Sequence, residues 1–440
     1  MSQQSARLQA EGDKKPHYVK VALASLVGTS IEWYDYFLYG TAAALVFPKL
    51  FFPKFDPLVG TLLAFSTYTI GFIARPFAGA IFGHFGDRVG RKQMLYITLL
   101  FMGISSTLIG VLPTYAQVGI WAPILLTLMR ICQGIGLGGE WGGAVLMAVE
   151  YAPPKLRGFF GSFPQTGAMV GGLLSVFAFW MSNSHLSDAQ FLAWGWRLPF
   201  LFSIVLVAIG IWIRMTIAET PAFQKVKDEK SAEKMPVLVA IRNHPKNLLL
   251  AGGMRFAENG LYYIITVFSL TYAVTALHLG RRALLPALTI NYAIGLLMMP
   301  FYGWVSDKIG RRAVYLWGAC MCGVLSFPFF WMLNKAPSNI YWGWAAIILI
   351  GQLGHSAMYG PQASFFAELF PAKVRYSGAS LGYQLASIFA GGMALPVATA
   401  LLAWANNKPW PVSLYMILFV VITAVSVIFS EETYKKADVM

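Results

Sequence analysis

Twelve predominantly apolar stretches, each near the 20 or so residues an α-helix needs to cross a bilayer, run through this 440-residue chain. They lie near 20–47, 58–82, 94–114, 119–149, 159–182, 197–217, 248–277, 284–303, 314–333, 340–366, 378–404 and 411–430. Backbone inside lipid must satisfy its own hydrogen bonds, so such runs are helices. The expected fold is an all-α membrane protein of twelve transmembrane helices. Composition agrees: 57% of residues are hydrophobic and 12% charged, about half the charged share of an ordinary soluble domain.

The net charge of +14 raises the possibility of a nucleic-acid partner. Lys and Arg are instead spread between the apolar runs, which points to anionic lipid. Their placement also sets orientation. Both termini, the loops after even-numbered runs and the middle segment carry twenty-three of the basic residues; the opposite loops carry seven. Both ends are therefore expected in the cytoplasm. The polar stretch 219–246 divides the chain into two six-helix bundles, 1–218 and 247–440, joined by a partly helical cytoplasmic linker. Cys132, Cys320 and Cys322 all lie in apolar runs and imply neither a metal site nor a disulfide framework.

The chain repeats itself. Gly83-His-Phe-Gly-Asp87-Arg88-Val-Gly90-Arg91-Lys92 recurs 220 residues later as Gly303-Trp-Val-Ser-Asp307-Lys308-Ile-Gly310-Arg311-Arg312. Glu150, Pro153 and Arg157 recur 218 residues later as Glu368, Pro371 and Arg375. Two motifs at nearly one offset signal duplication, which predicts bundles related by a pseudo-two-fold axis with a site at the midplane between them.

The loop after the second run resembles the G-x-x-x-D-R-x-G-R-[KR] signature of the major facilitator superfamily, and Arg130-Ile-Cys-Gln133-Gly134-Ile-Gly136 its R-x-x-Q-G-x-G motif. More narrowly, Ile31-Glu32-Trp33-Tyr34-Asp35-Tyr36, Arg75-Pro76, Gly138-Gly139-Glu140-Trp141-Gly142-Gly143 and Glu219-Thr220-Pro221-Ala222-Phe223 are similar to the metabolite:proton symporter family. That family includes carriers of shikimate, 2-oxoglutarate, citrate and proline/betaine. The resemblance implies a multi-pass plasma-membrane carrier of the bacterial inner-membrane type, functional as a monomer, acting on a small-molecule substrate and protons. It also implies a cytoplasmic gate formed by Gly83, Asp87, Arg88, Gly90, Arg91, Glu150, Arg157, Asp307, Arg311, Glu368 and Arg375. In that gate each Asp lies near the N-terminus of a neighbouring helix, and Arg91 pairs with a carboxylate such as Glu150.

Ionisable groups within spans are costly and point to function. Glu32 and Asp35 share a face of the first helix, with Arg75 and Arg130 as expected partners. Glu32, Asp35, Arg130 and Glu140 are the candidates for proton coupling: a protonated carboxyl releases an arginine, which then holds an anion. Tyr34, Arg75, Gln165, Arg255, Glu258, Asn259, Asn291, His355 and Gln384 are the candidates for substrate binding, offering cations, amides and phenols to a carboxylated or hydroxylated solute. His355 reads first as an interhelix donor. The expected function is proton-coupled symport of a small organic acid or related polar metabolite by alternating access. Uniport, antiport and symport of a zwitterionic osmolyte stay open. With no HExxH, G-x-S-x-G, Walker A motif or metal-ligand cluster, neither an enzyme nor a cofactor is expected.

Overall fold

The computed structural model describes residues 17–184, 186–215, 235–280 and 283–434, the side chains at 17, 57, 58, 91, 183 and 214 excepted. Twelve helical rods stand among the described residues. In the first half they are α1 (His17–Leu45), α2 (Pro57–Arg88), α3 (Arg91–Val111), α4 (Trp121–Tyr151), α5 (Arg157–Ser184) and α6 (Arg197–Met215). The second half opens with α7, which runs through Pro245–Tyr263, a π turn Ile264–Phe268 and Ser269–Thr275. Then come α8 (Leu285–Ile309) and α9 (Arg311–Lys335). α10 joins Ile340–Leu349, a π turn Ile350–His355 and Ser356–Glu368, and α11 joins Arg375–Leu385, a π turn Ser387–Gly392 and Ala394–Trp404. α12 is Trp410–Phe429. Of the linker, 219–234 lies outside the described residues; a short helix, Pro236–Asn243, forms part of the rest.

Among the described residues, length and apolarity alone qualify six helices to span a membrane, and a seventh if Asp188–Gly195 and Arg197–Ile213, bent by 42°, count as one. The other rods carry, within the same length, buried polar groups such as Glu32, Arg75, Gln165 and Glu258. Large apolar side chains such as Phe77, Trp212, Leu249 and Leu297 cover the outside, as lipid solvent permits. Pro76, Pro164, Pro300, Pro328 and Pro361 sit inside helices, where neighbours re-satisfy the freed carbonyls.

The halves meet along two seams: α5 packs on α8 and α10, and α11 packs on α2 and α4. Glycine sets the closeness of the first seam. A Cβ on Gly303 of α8 would come within 2.5 Å of the Gly158 carbonyl oxygen on α5. No side chain fits there, so the two backbones touch directly.

Candidate functional site

The midplane is built from the buried polar residues of α1, α2, α4, α7 and α10. On α2, Tyr68, Phe72 and Arg75 follow at i, i+4 and i+7 and so share a face. The Arg75 guanidinium lies 3.9 Å from the Phe72 ring centre and 4.4 Å from that of Tyr36. Arg130 of α4 lies 4.2, 4.3 and 4.2 Å from the ring centres of Tyr36, Tyr39 and Tyr68. Both arginines are buried, and among the described residues Nε and Nη2 of each have no hydrogen-bond partner. Aromatic faces hold these cations without neutralising them. The arginines therefore sit charged and under-bonded at membrane depth, a costly arrangement that an anion would relieve.

Neither arginine is paired with Asp35, contrary to expectation. The Asp35 carboxylate accepts a hydrogen bond from Ser203 of α6, because the rings hold both guanidiniums elsewhere. Arg130 Nη1 donates to Gln133 Oε1 at 2.9 Å, and Gln133 Nε2 donates to Ser106 Oγ of α3 at 2.7 Å. Glu140 accepts from Thr29 of α1 at 3.2 Å. Glu32 is fully buried on α1. Tyr34 points away from this cluster: its hydroxyl donates to the Pro199 carbonyl at 2.7 Å, and it lines an apolar groove between α5 and α6. Two positions on, about 200° around the helix, Tyr36 takes the place expected of it.

In the second half Arg255 Nη1 lies 3.6 Å from Glu258 Oε2. With its amide oxygen turned to Arg255, Asn259 accepts from Nε at 3.2 Å and Nη2 at 3.3 Å. His355 Nε2 stands 3.6 Å from Glu258 Oε1, and Gln362 Nε2 donates to Glu258 Oε2 at 3.1 Å. Arg255 also sits 3.0 Å from the Tyr383 ring centre, and Tyr383 stacks on Trp141 at 3.6 Å and 10°. Trp141 Nε1 donates to Gln165 Oε1 at 2.9 Å, and Gln165 reaches across to the Tyr359 carbonyl and Gln362 Oε1, both at 3.3 Å. Gln384 donates to the Gly138 carbonyl at 3.3 Å. Asn291 is tied to α10, its Oδ1 accepting from Gln352 at 2.7 Å. Between the halves, Trp33, Glu258, Asn259, Tyr263, His355 and Tyr359 line a cavity of about 10 Å³, room for roughly one water.

Below this layer, at the end of the bundle that carries the basic loops, the repeated motifs cross between halves. Asp87, on the last turn of α2, accepts from the Tyr376 and Ser377 N–H groups at 3.3 and 3.0 Å and from Ser377 Oγ at 2.7 Å. These groups open α11, so the carboxylate caps a helix of the other half. Asp307 does the reciprocal, accepting from the Gly158 and Phe159 N–H groups of α5 at 2.8 and 2.9 Å. Gly83 abuts α11, where a Cβ would stand 2.9 Å from Ser377 Cα. Gly90 and Gly310 turn the chain into α3 and α9 at φ +133° and +107°. Glu150 bonds Arg375 of the opposite half at 3.2 Å, a partner the sequence reading did not choose. The Arg91 side chain, its expected partner, lies outside the described residues. Arg311 bonds Asp307 at 2.7 Å and Glu368 at 3.0 Å. The Arg157 carbonyl accepts from Ser364 Oγ at 2.6 Å, whereas Arg88 stays exposed beside His84.

Sequence reasoning missed the tyrosine cage, Ser203 and Glu432. Glu432 caps α9 through the Arg311 and Arg312 N–H groups, both at 3.0 Å. Its signal was present: a Glu-Thr pair closes each half, at 219–220 and 432–433.

The model of the family "Sugar (and other) transporter" matches residues 20–249, and that of the Major Facilitator Superfamily matches residues 287–438. A shikimate transporter of Escherichia coli (strain K12) is 40% identical over 418 residues, 94% of this chain and 95% of its own. The chain belongs to the major facilitator superfamily. An inner membrane metabolite transport protein of the same organism is 41% identical over 94% of each chain. A proline/betaine transporter of Salmonella typhimurium is 32% identical, covering 94% of this chain and 83% of its own. Among solved structures, a proton:xylose symporter of the superfamily superposes with a TM-score of 0.71 at 16% identity, over 95% of this chain and 96% of that one. This facilitator is thus a membrane transporter of twelve helices in two bundles, and not an enzyme.

Proposed function

We propose that this facilitator is a proton-coupled symporter of a small organic acid, working by alternating access. The observation that carries the proposal is the pair Arg75 and Arg130, buried and under-bonded within a cage of tyrosines, with the Asp35 carboxyl buried on α1 of the same half and bonded to Ser203 rather than to an arginine. The arginines suit a carboxylate; the phenols and the Asn259 amide suit hydroxyls. Asp35 or Glu32 takes the proton, and Glu140 and the Arg255–Glu258–His355 group hold the helices of the two halves in register. The kinship with a shikimate transporter supports this class of substrate. The kinship with a proline/betaine transporter keeps a zwitterion as the second reading, since Arg255 and Glu258 offer both signs of charge.

The Asp87 and Asp307 caps, with Glu150–Arg375, form the gate of the basic end. The density of basic loops supports a cytoplasmic position for that end and for both termini. A periplasm-active reporter fused after residue 226 or at the C-terminus is then silent, and one near residue 335 active.

The deciding experiment is uptake into proteoliposomes of labelled shikimate, 2-oxoglutarate, citrate and proline, with and without an imposed pH gradient. One of these accumulates uphill, and Asp35→Asn abolishes the accumulation while downhill exchange persists. Uptake insensitive to the gradient would establish uniport or exchange instead. Full accumulation in both Asp35→Asn and Glu32→Gln would remove the acids of α1 from the mechanism.

A further inference from the structure

The cavity between the halves is lined by more hydrogen-bond donors than its own acceptors can take. Trp33 Nε1 of α1, the Tyr263 hydroxyl of α7, and His355 Nε2 and the Tyr359 hydroxyl of α10 are buried, and none has a hydrogen-bond partner among the described residues. His355 Nε2 faces Glu258 Oε1 at 3.6 Å, too far for a hydrogen bond. The acceptors on the same wall are already committed. Glu258 Oε2 accepts from Gln362 at 3.1 Å and lies 3.6 Å from Arg255, and the Asn259 oxygen, turned to Arg255, accepts from it twice. The cavity has room for roughly one water, which makes about three hydrogen bonds in all. Four buried donors exceed that, and a buried donor left unmade is costly.

Backbone geometry marks the same place. One π turn, Ile264–Phe268, starts directly after Tyr263, and another, Ile350–His355, ends on His355. A third, Ser387–Gly392 of α11, holds Gly391, where a Cβ would clash with the Phe72 ring and stand 3.0 Å from the Asn259 amide. Such turns interrupt the regular ladder of a helix and are frequent at functional sites. The cavity also adjoins the arginine cage. The Tyr263 ring packs on Phe72 and Tyr36 at 5.3 and 6.1 Å, the two rings that hold Arg75. Trp33 belongs to the first half, and Tyr263, His355 and Tyr359 to the second, so parting of the halves widens the cavity.

We propose that this cavity is the subsite for the hydroxyl-bearing part of the transported acid, and that Trp33, Tyr263, His355 and Tyr359 set a preference for a polyhydroxylated monocarboxylate. Hydroxyl oxygens of the solute accept from the four donors, and the phenol oxygens take solute hydroxyl protons in return. The single carboxylate goes to the arginines on the other side of the Tyr263 ring. A second carboxylate is disfavoured, because Glu258 stands in the wall and Arg255 is already engaged with it. A quaternary ammonium accepts nothing and leaves all four donors unmade. The inference rests on the organic-acid reading of this site and names the substrate class within it.

The test is calorimetric titration of the purified protein with two matched pairs of acids, shikimate against cyclohexenecarboxylate and gluconate against hexanoate. 2-Oxoglutarate and glycine betaine complete the set. In the unaltered protein at least one hydroxylated acid binds about 25-fold or more tighter than its hydroxyl-free partner, the weight of two hydrogen bonds at about fivefold each. It also binds tighter than 2-oxoglutarate or glycine betaine. In Tyr263→Phe and in Tyr359→Phe, which keep the ring, that ratio narrows about fivefold. Each ratio is taken within one preparation, so any loss of folded protein cancels. Equal binding of the matched acids, an unchanged ratio in both variants, or tighter binding of 2-oxoglutarate overturns the subsite and leaves the organic-acid reading standing. Glycine betaine bound tighter than every acid, or no acid bound at all, overturns the organic-acid reading and the subsite with it.

Discussion

Replacing Asp87 with Asn tests the gate with little change of shape. The carboxylate accepts three hydrogen bonds at the start of α11, one on Oδ1 and two on Oδ2. Asn has a single acceptor oxygen. In its best orientation the oxygen keeps the two Ser377 bonds and the NH2 group faces the Tyr376 N–H, which loses its partner. One bond lost costs about 1 kcal/mol, and two reduced from charged to neutral cost about 0.5–1 kcal/mol each. Loss of charge at a helix N-terminus adds at least about 0.3 kcal/mol. The sum, about 2–3 kcal/mol, favours opening of the basic end by about 30- to 150-fold.

A thiol just inside the gate reads that shift. Ser380 lies one turn beyond Ser377 on α11, is 1% exposed and faces Gly142 of α4. With Cys132, Cys320 and Cys322 replaced by Ser, Ser380→Cys should react slowly with maleimide in inside-out vesicles. Adding Asp87→Asn should raise the rate by the factor above, until the open form becomes the majority. Substrate exchange should slow, because the return to the closed form becomes limiting. An unchanged labelling rate in a normally inserted protein would refute the gate.

Asp307→Asn should act in the same direction but more weakly. Across the seam it weakens two backbone bonds rather than three bonds, and Arg311, which also bonds Asp307, keeps Glu368 as counter-charge; the same labelling assay reports it. Trp141→Ala removes the stack on Tyr383, worth about 0.5–1.5 kcal/mol, and should raise Ser380→Cys labelling about two- to tenfold, whereas Trp141→Phe should stay near the original rate. Arg130→Lys keeps the charge but loses the planar fork lying between three tyrosine rings and Gln133. Half-saturation for the transported solute should rise at least about tenfold, and an unchanged value would exclude Arg130 from the anion site.

The twelve rods were legible because lipid leaves so few alternatives: apolar length marks a helix almost by itself. The two-bundle architecture followed from the repeat at offsets of 218 and 220. The site was less legible, since a helix shows which of its residues share a face but not where that face points. Trp33, Tyr34, Asp35 and Tyr36 are consecutive, and only the neighbours of α1 decide that Tyr36 meets the arginines while Tyr34 meets α6. The face Tyr68–Phe72–Arg75 could have been read from spacing alone. Ser203 could not, because a serine in an apolar run carries no sign of the acid that will need it.

The duplication also concealed an asymmetry. The repeat predicts equal roles for Glu150 and Glu368, but Glu150 binds Arg375 across the seam, whereas Glu368 bonds Arg311 and Thr433 of its own half. C-terminal residues add to the network of the second half: Glu432 caps α9 through the Arg311 N–H, and Thr433 bonds Glu368, which Arg311 also bonds together with Asp307. The second copy of the motif reaches α5 through Asp307 while Glu368 is bonded within its own bundle, whereas the first reaches α11 through both Asp87 and Glu150. If the halves rock apart at the basic end, the α2–α4–α11 seam has more charge-assisted contacts to break. Opening should then be set by Asp87 and Glu150, so Glu150→Gln should exceed Glu368→Gln in its effect on Ser380→Cys labelling, and the reverse order would show that the internal network of the second half controls the gate.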